Sequence, residues 1–241
     1  MSTSSTSSRS RTRVFRSLSA TTLRPARKKA RLYIALYPRG GSSTTSSFRN
    51  HFTCDSYHWS LVVAPPTASR KDVGSTRYHV AHAGQHTASA SSALTSTSGG
   101  GDKYLYEEQD IASTPAAQTG LVRITVAKVV DEARLRALLR DIPVPQHGDD
   151  DPTFNCLTWV REAFVKAIED PKCVKSYLHA EDWKAVETCA RTYCKRKRDL
   201  GRFHHTPVQP ENDAANAGIA FPWSHDDIST FNFWENRETT A

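Results

Sequence analysis

A histidine and a cysteine in this chain have the residue types and local patterns of a thiol enzyme. His58 lies in Tyr57-His58-Trp59-Ser60-Leu61-Val62-Val63, which predicts a strand, and Cys156 follows Asn155 where a helix is predicted to begin. An imidazole that takes the proton of a thiol turns that cysteine into a nucleophile. The pair therefore indicates nucleophilic catalysis, and the alternative is a structural histidine and a cysteine packed in an ordinary core.

The sequence around Cys156 favours a thiolate. If Asn155 caps the helix, Cys156 lies in the first turn, where unpaired backbone N–H groups and the positive end of the helix dipole stabilise an anion. Both effects lower the pKa of a thiol. The backbone N–H of Cys156 could also form part of an oxyanion hole.

Strand alternation predicts which side chains share a face with His58. Residues 57, 59, 61 and 63 are apolar and form one face, so His58 stands on the other, more polar face beside Ser60. In the next predicted strand, His79 and His82 are separated by an odd number of positions and point to opposite faces. Only one of them can share the face of His58, and the strand register decides which.

These motifs resemble the circularly permuted papain-like proteins, and within them the lecithin:retinol acyltransferase and phospholipase/acyltransferase group of the NlpC-type superfamily. The resemblance implies that His58 is the base, that His79 supports it, and that Cys156 is the nucleophile that forms an acyl thioester. It also implies a permuted papain-like arrangement. That group has Glu-His-Phe after the cysteine, where this chain has Leu157-Thr158-Trp159.

A longer stretch of the chain resembles an uncharacterised family of fungal proteins. The similarity runs from Arg31-Leu-Tyr-Ile-Ala-Leu-Tyr-Pro, through Tyr-His-Trp and Arg-Tyr-His-Val, to Cys-x-x-Trp-Val, and covers most of residues 31–203. It implies a single domain that begins near residue 31 and carries no established activity.

The order of predicted elements indicates the α+β class. Strand patterns precede helix patterns, which predicts a small antiparallel sheet or half-barrel of about five strands followed by three helices. Strands are expected over 31–37, 57–64, 76–82, 103–109 and 121–130, and helices over 131–140, 155–169 and 180–200. Outside this 31–203 domain we expect a disordered basic tail over 1–30 and an irregular tail over 204–241 that docks through its aromatic residues, with a flexible insertion at 84–102.

Charge and cysteine content indicate which partners and which cellular compartment to expect. The net charge of +7 comes from the N-terminus, since no acidic residue precedes Asp55, and the balanced body predicts no dedicated nucleic-acid partner. The five cysteines form an odd set without a C-x-x-C pair, which favours a reducing intracellular compartment, cytoplasmic or nuclear. The Arg/Ser-rich N-terminus is also typical of a mitochondrial transit peptide. No apolar run is long enough for a transmembrane helix.

Other motifs in the sequence give weaker evidence for a metal or cofactor site. Cys54 and His58 have the C-x-x-x-H spacing of metal ligands, but a second ligand pair is missing, so no metal is expected. No strand is followed by a phosphate-binding loop, so no cofactor is expected, and Glu107-Glu108 is interpreted as surface charge. The sequence thus predicts a cysteine-dependent hydrolase or acyltransferase for a small-molecule, lipid or peptide substrate. The alternative is a non-catalytic interaction or scaffold protein with the same fold.

Overall fold

The computed structural model describes residues 29–38, 57–66, 73–82, 104–114, 119–145, 153–203 and 226–241. The basic tail expected over 1–30, except for its last two residues, and the insertion expected over 84–102 lie outside the described residues.

Five strands form in the predicted order and pair antiparallel as β4-β3-β2-β1-β5. Their apolar and β-branched residues suit a sheet that is covered on both faces. The strands are β1 (Arg31–Pro38), β2 (Tyr57–Ala64), β3 (Thr76–His82), β4 (Tyr104–Asp110) and β5 (Val122–Val129).

In the ranges that the structure describes, three α-helices follow β5, which confirms the α+β class. They are α1 (Glu132–Arg140), α2 (Cys156–Glu169) and α3 (Trp183–Asp199), and a short 3-10 turn over Ala180–Asp182 leads into α3. The Asp131 side chain caps α1 by accepting a hydrogen bond from the backbone N–H of Arg134, as the sequence predicts.

The two faces of the sheet differ in what covers them. On the first, called the helix face, Trp59 lies 6.2 Å from Trp183 and Phe164 lies 5.5 Å from Trp183, between ring centroids. This large core includes Tyr57, Trp59, Leu61 and Val63, so the predicted alternation of β2 is confirmed. The opposite face, called the histidine face, carries a smaller apolar cluster with Tyr33, Tyr37 and Val62. Each fully buried large apolar side chain stabilises the fold by about 1.5–3 kcal/mol.

In the described part of the chain, the sheet has more strands than the sequence predicted. Three short strands, β6 (Val174–Lys175), β7 (Ser229–Asn232) and β8 (Arg237–Thr240), bring the sheet to eight strands, where about five were expected. The end of the segment that was expected to be an irregular tail over 204–241 thus forms two strands of the sheet. β7 pairs in parallel with β5, and β8 pairs with β7. Strands of two to four residues are too short to give a readable period.

None of the described helices is long and apolar enough to cross a lipid bilayer.

Candidate functional site

Two histidines from neighbouring strands meet on the histidine face. The register of β2 and β3 places Leu61 opposite Tyr78, so His58 and His79 share one face as diagonal neighbours. Nε2 of His58 lies 2.9 Å from Nδ1 of His79, and the two rings are nearly perpendicular at 89°. Of the two histidines that the sequence left open, His79 is thus the one bonded to His58. His82 ends β3, and its side chain lies outside the described residues.

Polar residues of β3 and β4 extend this pair into a network. Glu107 is the cross-strand partner of His79, and its Oε2 lies 3.3 Å from Nε2 of His79, at ion-pair distance but not aligned for a hydrogen bond. Gln109 donates to Glu107 at 3.0 Å, and Arg77 donates to Gln109 at 3.2 Å. The network therefore links the His58–His79 pair to a charged arginine.

The interpretation of Glu107 as surface charge is wrong. Its side chain is only 19% exposed and contacts His79. The alternation of β4 already indicated that the two glutamates differ, because Tyr106 and Glu108 share one face of the strand and Glu107 and Gln109 share the other. The pairing of β4 with β3 could not be inferred, since it depends on register across the long intervening segment.

The surroundings of His79 keep its ring neutral. Burial and the positive charge of Arg77 lower the pKa of His79 to about 4, although Glu107 acts in the opposite direction. A neutral ring carries one N–H, and the negative charge of Glu107 favours placing it on Nε2. Nδ1 of His79 then accepts the Nε2–H of His58. In this assignment a neutral His58 has its lone pair on Nδ1, so Nδ1 is the atom that would accept a proton.

Cys156 is the first residue of α2, and Asn155 caps the helix as the sequence predicts. Oδ1 of Asn155 accepts the backbone N–H groups of Leu157 at 2.9 Å and Thr158 at 3.2 Å. Oγ1 of Thr158 accepts the Asn155 N–H at 2.9 Å, which completes a capping box. Cys156 forms no disulfide with another described cysteine and is 7% exposed. The helix start is therefore fixed in the geometry that stabilises an anion.

The N-terminus of α2 lies at the end of the sheet where β2 and β4 begin. Phe154 packs against Tyr104 with ring centroids 5.1 Å apart, and Tyr104 is the first residue of β4. The body of α2 packs on the helix face, and Cys156 contributes to that core. A thiolate at Cys156 would also raise the pKa of Arg77 by electrostatic attraction, so Cys156 lies within electrostatic range of the histidine face. Direct pairing of Cys156 with His58 stays a prediction.

Two other cysteines have the opposite electrostatic setting. Burial, together with the neighbouring Asp170 carboxylate, raises the pKa of Cys173 to about 11. Burial also raises the pKa of Cys189 to about 11. Both are protonated at neutral pH and therefore poor nucleophiles.

A cavity of about 620 Å³ opens far from the two histidines, at the opposite end of β1. Arg31, Lys128, Tyr177 and Trp234 are among the residues that line it. It contains no residue of the histidine network, so it is not part of the candidate site. In the described part of the chain, no three His, Cys, Asp or Glu side chains are placed to hold a metal ion.

Comparison with known proteins places the chain in a family. No curated protein and no solved structure matches it. The model of a family of unknown function (DUF6914) matches residues 29–240. That range runs from the start of β1 to the end of β8 and includes all three helices. The chain therefore belongs to this family of unknown function, DUF6914.

Proposed function

We propose that the protein is a thiol-dependent hydrolase or acyltransferase in which Cys156 is the nucleophile, His58 the base and His79 the positioning residue. The observation that carries the proposal is the 2.9 Å hydrogen bond between His58 and His79 on adjacent strands. It orients one imidazole by a second polar group, as an activated thiol requires. The capping box at Asn155 supports the proposal because it holds Cys156 where a thiolate is favoured.

The reaction begins when Nδ1 of His58 takes the proton from Sγ of Cys156. The thiolate attacks the carbonyl carbon of an amide, ester or thioester, and a tetrahedral oxyanion forms that the backbone N–H of Cys156 can stabilise. As the oxyanion collapses, the bond to the leaving group breaks, and the leaving group takes the proton from His58. Cys156 then carries the acyl group as a thioester.

The second half of the reaction decides between the two activities. His58 takes a proton from water or from another nucleophile, which attacks the thioester carbonyl. Collapse of the second oxyanion breaks the C–S bond and returns the proton from His58 to the thiolate. With water the product is an acid, and with an alcohol, amine or thiol the acyl group is transferred.

The fold proposed for this chemistry is the permuted papain-like arrangement. In it, the strands that carry the base and its supporting residue precede the helix that carries the cysteine. The element order of this chain supports the proposal, since β2 and β3 come before α2. The shared sheet end supports it further, because β2 begins where the N-terminus of α2 lies.

A second candidate is a non-catalytic interaction or scaffold protein with the same fold. Two observations favour it. Cys156 is 7% exposed and packs in the core of the helix face, whereas His58 points to the opposite face. A cysteine in such a core is ordinarily inert.

Alkylation by iodoacetamide at pH 7 tests the two candidates. We expect the Cys156 peptide, followed by mass spectrometry, to be modified at least about tenfold faster than the peptides of Cys173 and Cys189, whose thiols are protonated. The variant His58→Gln should slow the modification of Cys156. The exposed His179 provides the matched control, and His179→Gln should leave the rate unchanged. Equal rates at Cys156, Cys173 and Cys189 would favour the scaffold.

A further inference from the structure

Four of the eight buried side-chain atoms that lack a hydrogen-bond partner among the described residues belong to the histidine face. They are Oγ of Ser60, Oγ of Ser75, Nε of Arg77 and Nε2 of His79. Ser75 adjoins β3, and its backbone carbonyl accepts the backbone N–H of Ile111, a residue of the small cluster on this face. Polar groups buried in folded proteins are almost always hydrogen-bonded. Ser60 lies two positions from Val62, the cross-strand partner of Arg77, so the exceptions at Ser60 and Arg77 are diagonal neighbours that can share one polar ligand.

Arg77 is the centre of this cluster, and its charge is poorly compensated. The residue is 6% exposed, and its guanidinium lies 3.8 Å from the ring centroid of Tyr37. Its hydrogen bond goes to Gln109, a neutral amide, and no described carboxylate lies within ion-pair distance. The Glu107 carboxylate is instead engaged with His79 and Gln109. A buried arginine usually pairs with a carboxylate, because an uncompensated buried charge is costly.

The cluster lies beside the residues of the proposed thiol chemistry. Arg77 and His79 are two positions apart on β3 and share a face, as do Ser60 and His58 on β2. The positive charge of Arg77 lowers the pKa of His79. A thiolate at Cys156 would attract the guanidinium of Arg77. A ligand bound at Arg77 would therefore lie near the proposed base and within electrostatic range of the proposed nucleophile.

We propose that Arg77, together with the hydroxyl of Ser60, binds a carboxylate of the substrate, so that the acyl compound processed at Cys156 is an acidic one. This rests on the proposed function. A carboxylate fits because its two oxygens can accept the Nε–H of Arg77 and the hydroxyl of Ser60. A phosphate dianion fits less well, because the site offers one guanidinium and the Glu107 carboxylate is near. The substrate class is thus an amide, ester or thioester that carries a free carboxylate, such as an acidic peptide.

Two alkylating reagents of nearly equal size test the proposal, iodoacetate and iodoacetamide. The measured quantity is the ratio of their rates at Cys156, which removes differences in intrinsic thiol reactivity. We expect Arg77→Gln to lower the iodoacetate-to-iodoacetamide ratio by about tenfold, the loss of one charge-assisted hydrogen bond. Ser60→Ala should lower it less. The matched control is Arg123→Gln, since Arg123 is also a buried arginine on this face but bonds to Thr230. A ratio that Arg77→Gln leaves unchanged overturns the proposal.

Binding of glutarate provides a measurement that does not depend on the thiol. At constant ionic strength, glutarate should raise the Tm of the wild-type protein, glutaramide should not, and Arg77→Gln should abolish the shift. If Arg77→Gln does not fold, the wild-type comparison of glutarate with glutaramide decides, and the absence of a difference overturns the subsite. If Cys156 resists both reagents while glutarate still raises Tm, the thiol chemistry fails and carboxylate binding stands.

Discussion

His79 and Glu107 are direct cross-strand partners on β3 and β4, and their side chains lie 3.3 Å apart on the buried histidine face. The carboxylate favours a protonated histidine, yet burial and the charge of Arg77 outweigh it and hold the pKa of His79 at about 4. His79 is therefore a neutral hydrogen-bonding group at physiological pH. This suits a residue that orients His58 without competing with it for the proton.

The first prediction is a pH dependence of stability that comes from His79. In the unfolded chain its pKa is about 6.5, and in the folded protein about 4, so the unfolded state binds more protons between these values. The free energy of unfolding should therefore be fully retained above pH 6.5. It should fall by up to about 3 kcal/mol as the pH drops towards 4.

Urea unfolding of the wild type and His79→Asn at several pH values measures this contribution. Other groups titrate in both proteins, so only the difference between the two curves belongs to His79. We expect the wild type to lose stability relative to the variant as the pH falls from 6.5 to 4. Parallel curves over that range would contradict the buried neutral histidine.

The second prediction separates two adjacent glutamates. Glu107→Gln keeps the hydrogen-bonding shape but removes the charge that attracts Arg77 and raises the pKa of His79. It should destabilise the fold by about 1–3 kcal/mol, because Arg77 and His79 are buried. It should also enlarge the stability loss below pH 6.5, because the folded pKa of His79 falls further.

Glu108→Gln is the matched control for this charge. Glu108 points to the helix face and pairs with Arg136 and Arg140, whose side chains are 41% and 58% exposed. Ion pairs with exposed partners contribute about 0–1 kcal/mol, so the variant should cost little and leave the pH dependence unchanged. If the two variants behave alike in urea unfolding, the special role of Glu107 is lost.

Local patterns in the sequence predicted most of the fold. The alternation of residues 57–63 defined β2 and its faces, and Asp131 and Asn155 marked the starts of α1 and α2. These signals arise from neighbouring residues, so no knowledge of the tertiary structure is needed. The C-terminal strand β7 lacked such a signal, since it has four residues and pairs with β5 across a sequence separation of about a hundred residues.

The candidate site was predictable only in part. Side-chain alternation along the strand showed that one of His79 and His82 shares the face of His58. Choosing between them required the β2–β3 register. Glu107, Gln109 and Arg77 could not be connected to the pair, because their contacts depend on the pairing of β3 with β4. Whether a charged residue is buried is decided by what packs over its strand, which a sequence period does not reveal.

The third prediction concerns the cap of α2. Asn155→Ala removes the acceptor for two backbone N–H groups and should destabilise the protein by about 1 kcal/mol. Asp131→Ala removes the corresponding cap of α1 and should cost a similar amount. On the proposed function, only Asn155→Ala should also slow the alkylation of Cys156 by iodoacetamide. If the cap of α2 matters for the fold alone, neither variant would slow the alkylation of Cys156.

The fourth prediction concerns the attachment of the C-terminal strand to α3. Nζ of Lys197, on a side chain only 3% exposed, forms an ion pair with Glu238 of β8, and the Tyr193 hydroxyl donates to the same carboxylate at 2.8 Å. Glu238→Gln leaves a buried ammonium without its counter-charge. We expect a loss of about 2–4 kcal/mol in the free energy of unfolding, below the upper range for buried pairs because Glu238 is 29% exposed.

A paired variant and a control make this fourth prediction specific. Lys197→Met combined with Glu238→Gln removes both charges and should recover much of the loss, since an apolar side chain suits the buried position of Lys197. Glu235→Gln, which removes a carboxylate paired with the exposed Arg237, should change stability by less than about 1 kcal/mol. Urea unfolding of the wild type, the single variants Lys197→Met and Glu238→Gln, and the double variant gives the coupling between Lys197 and Glu238. A coupling near zero would mean that β8 is held by its pairing with β7, whose Phe231 packs on Tyr193 of α3.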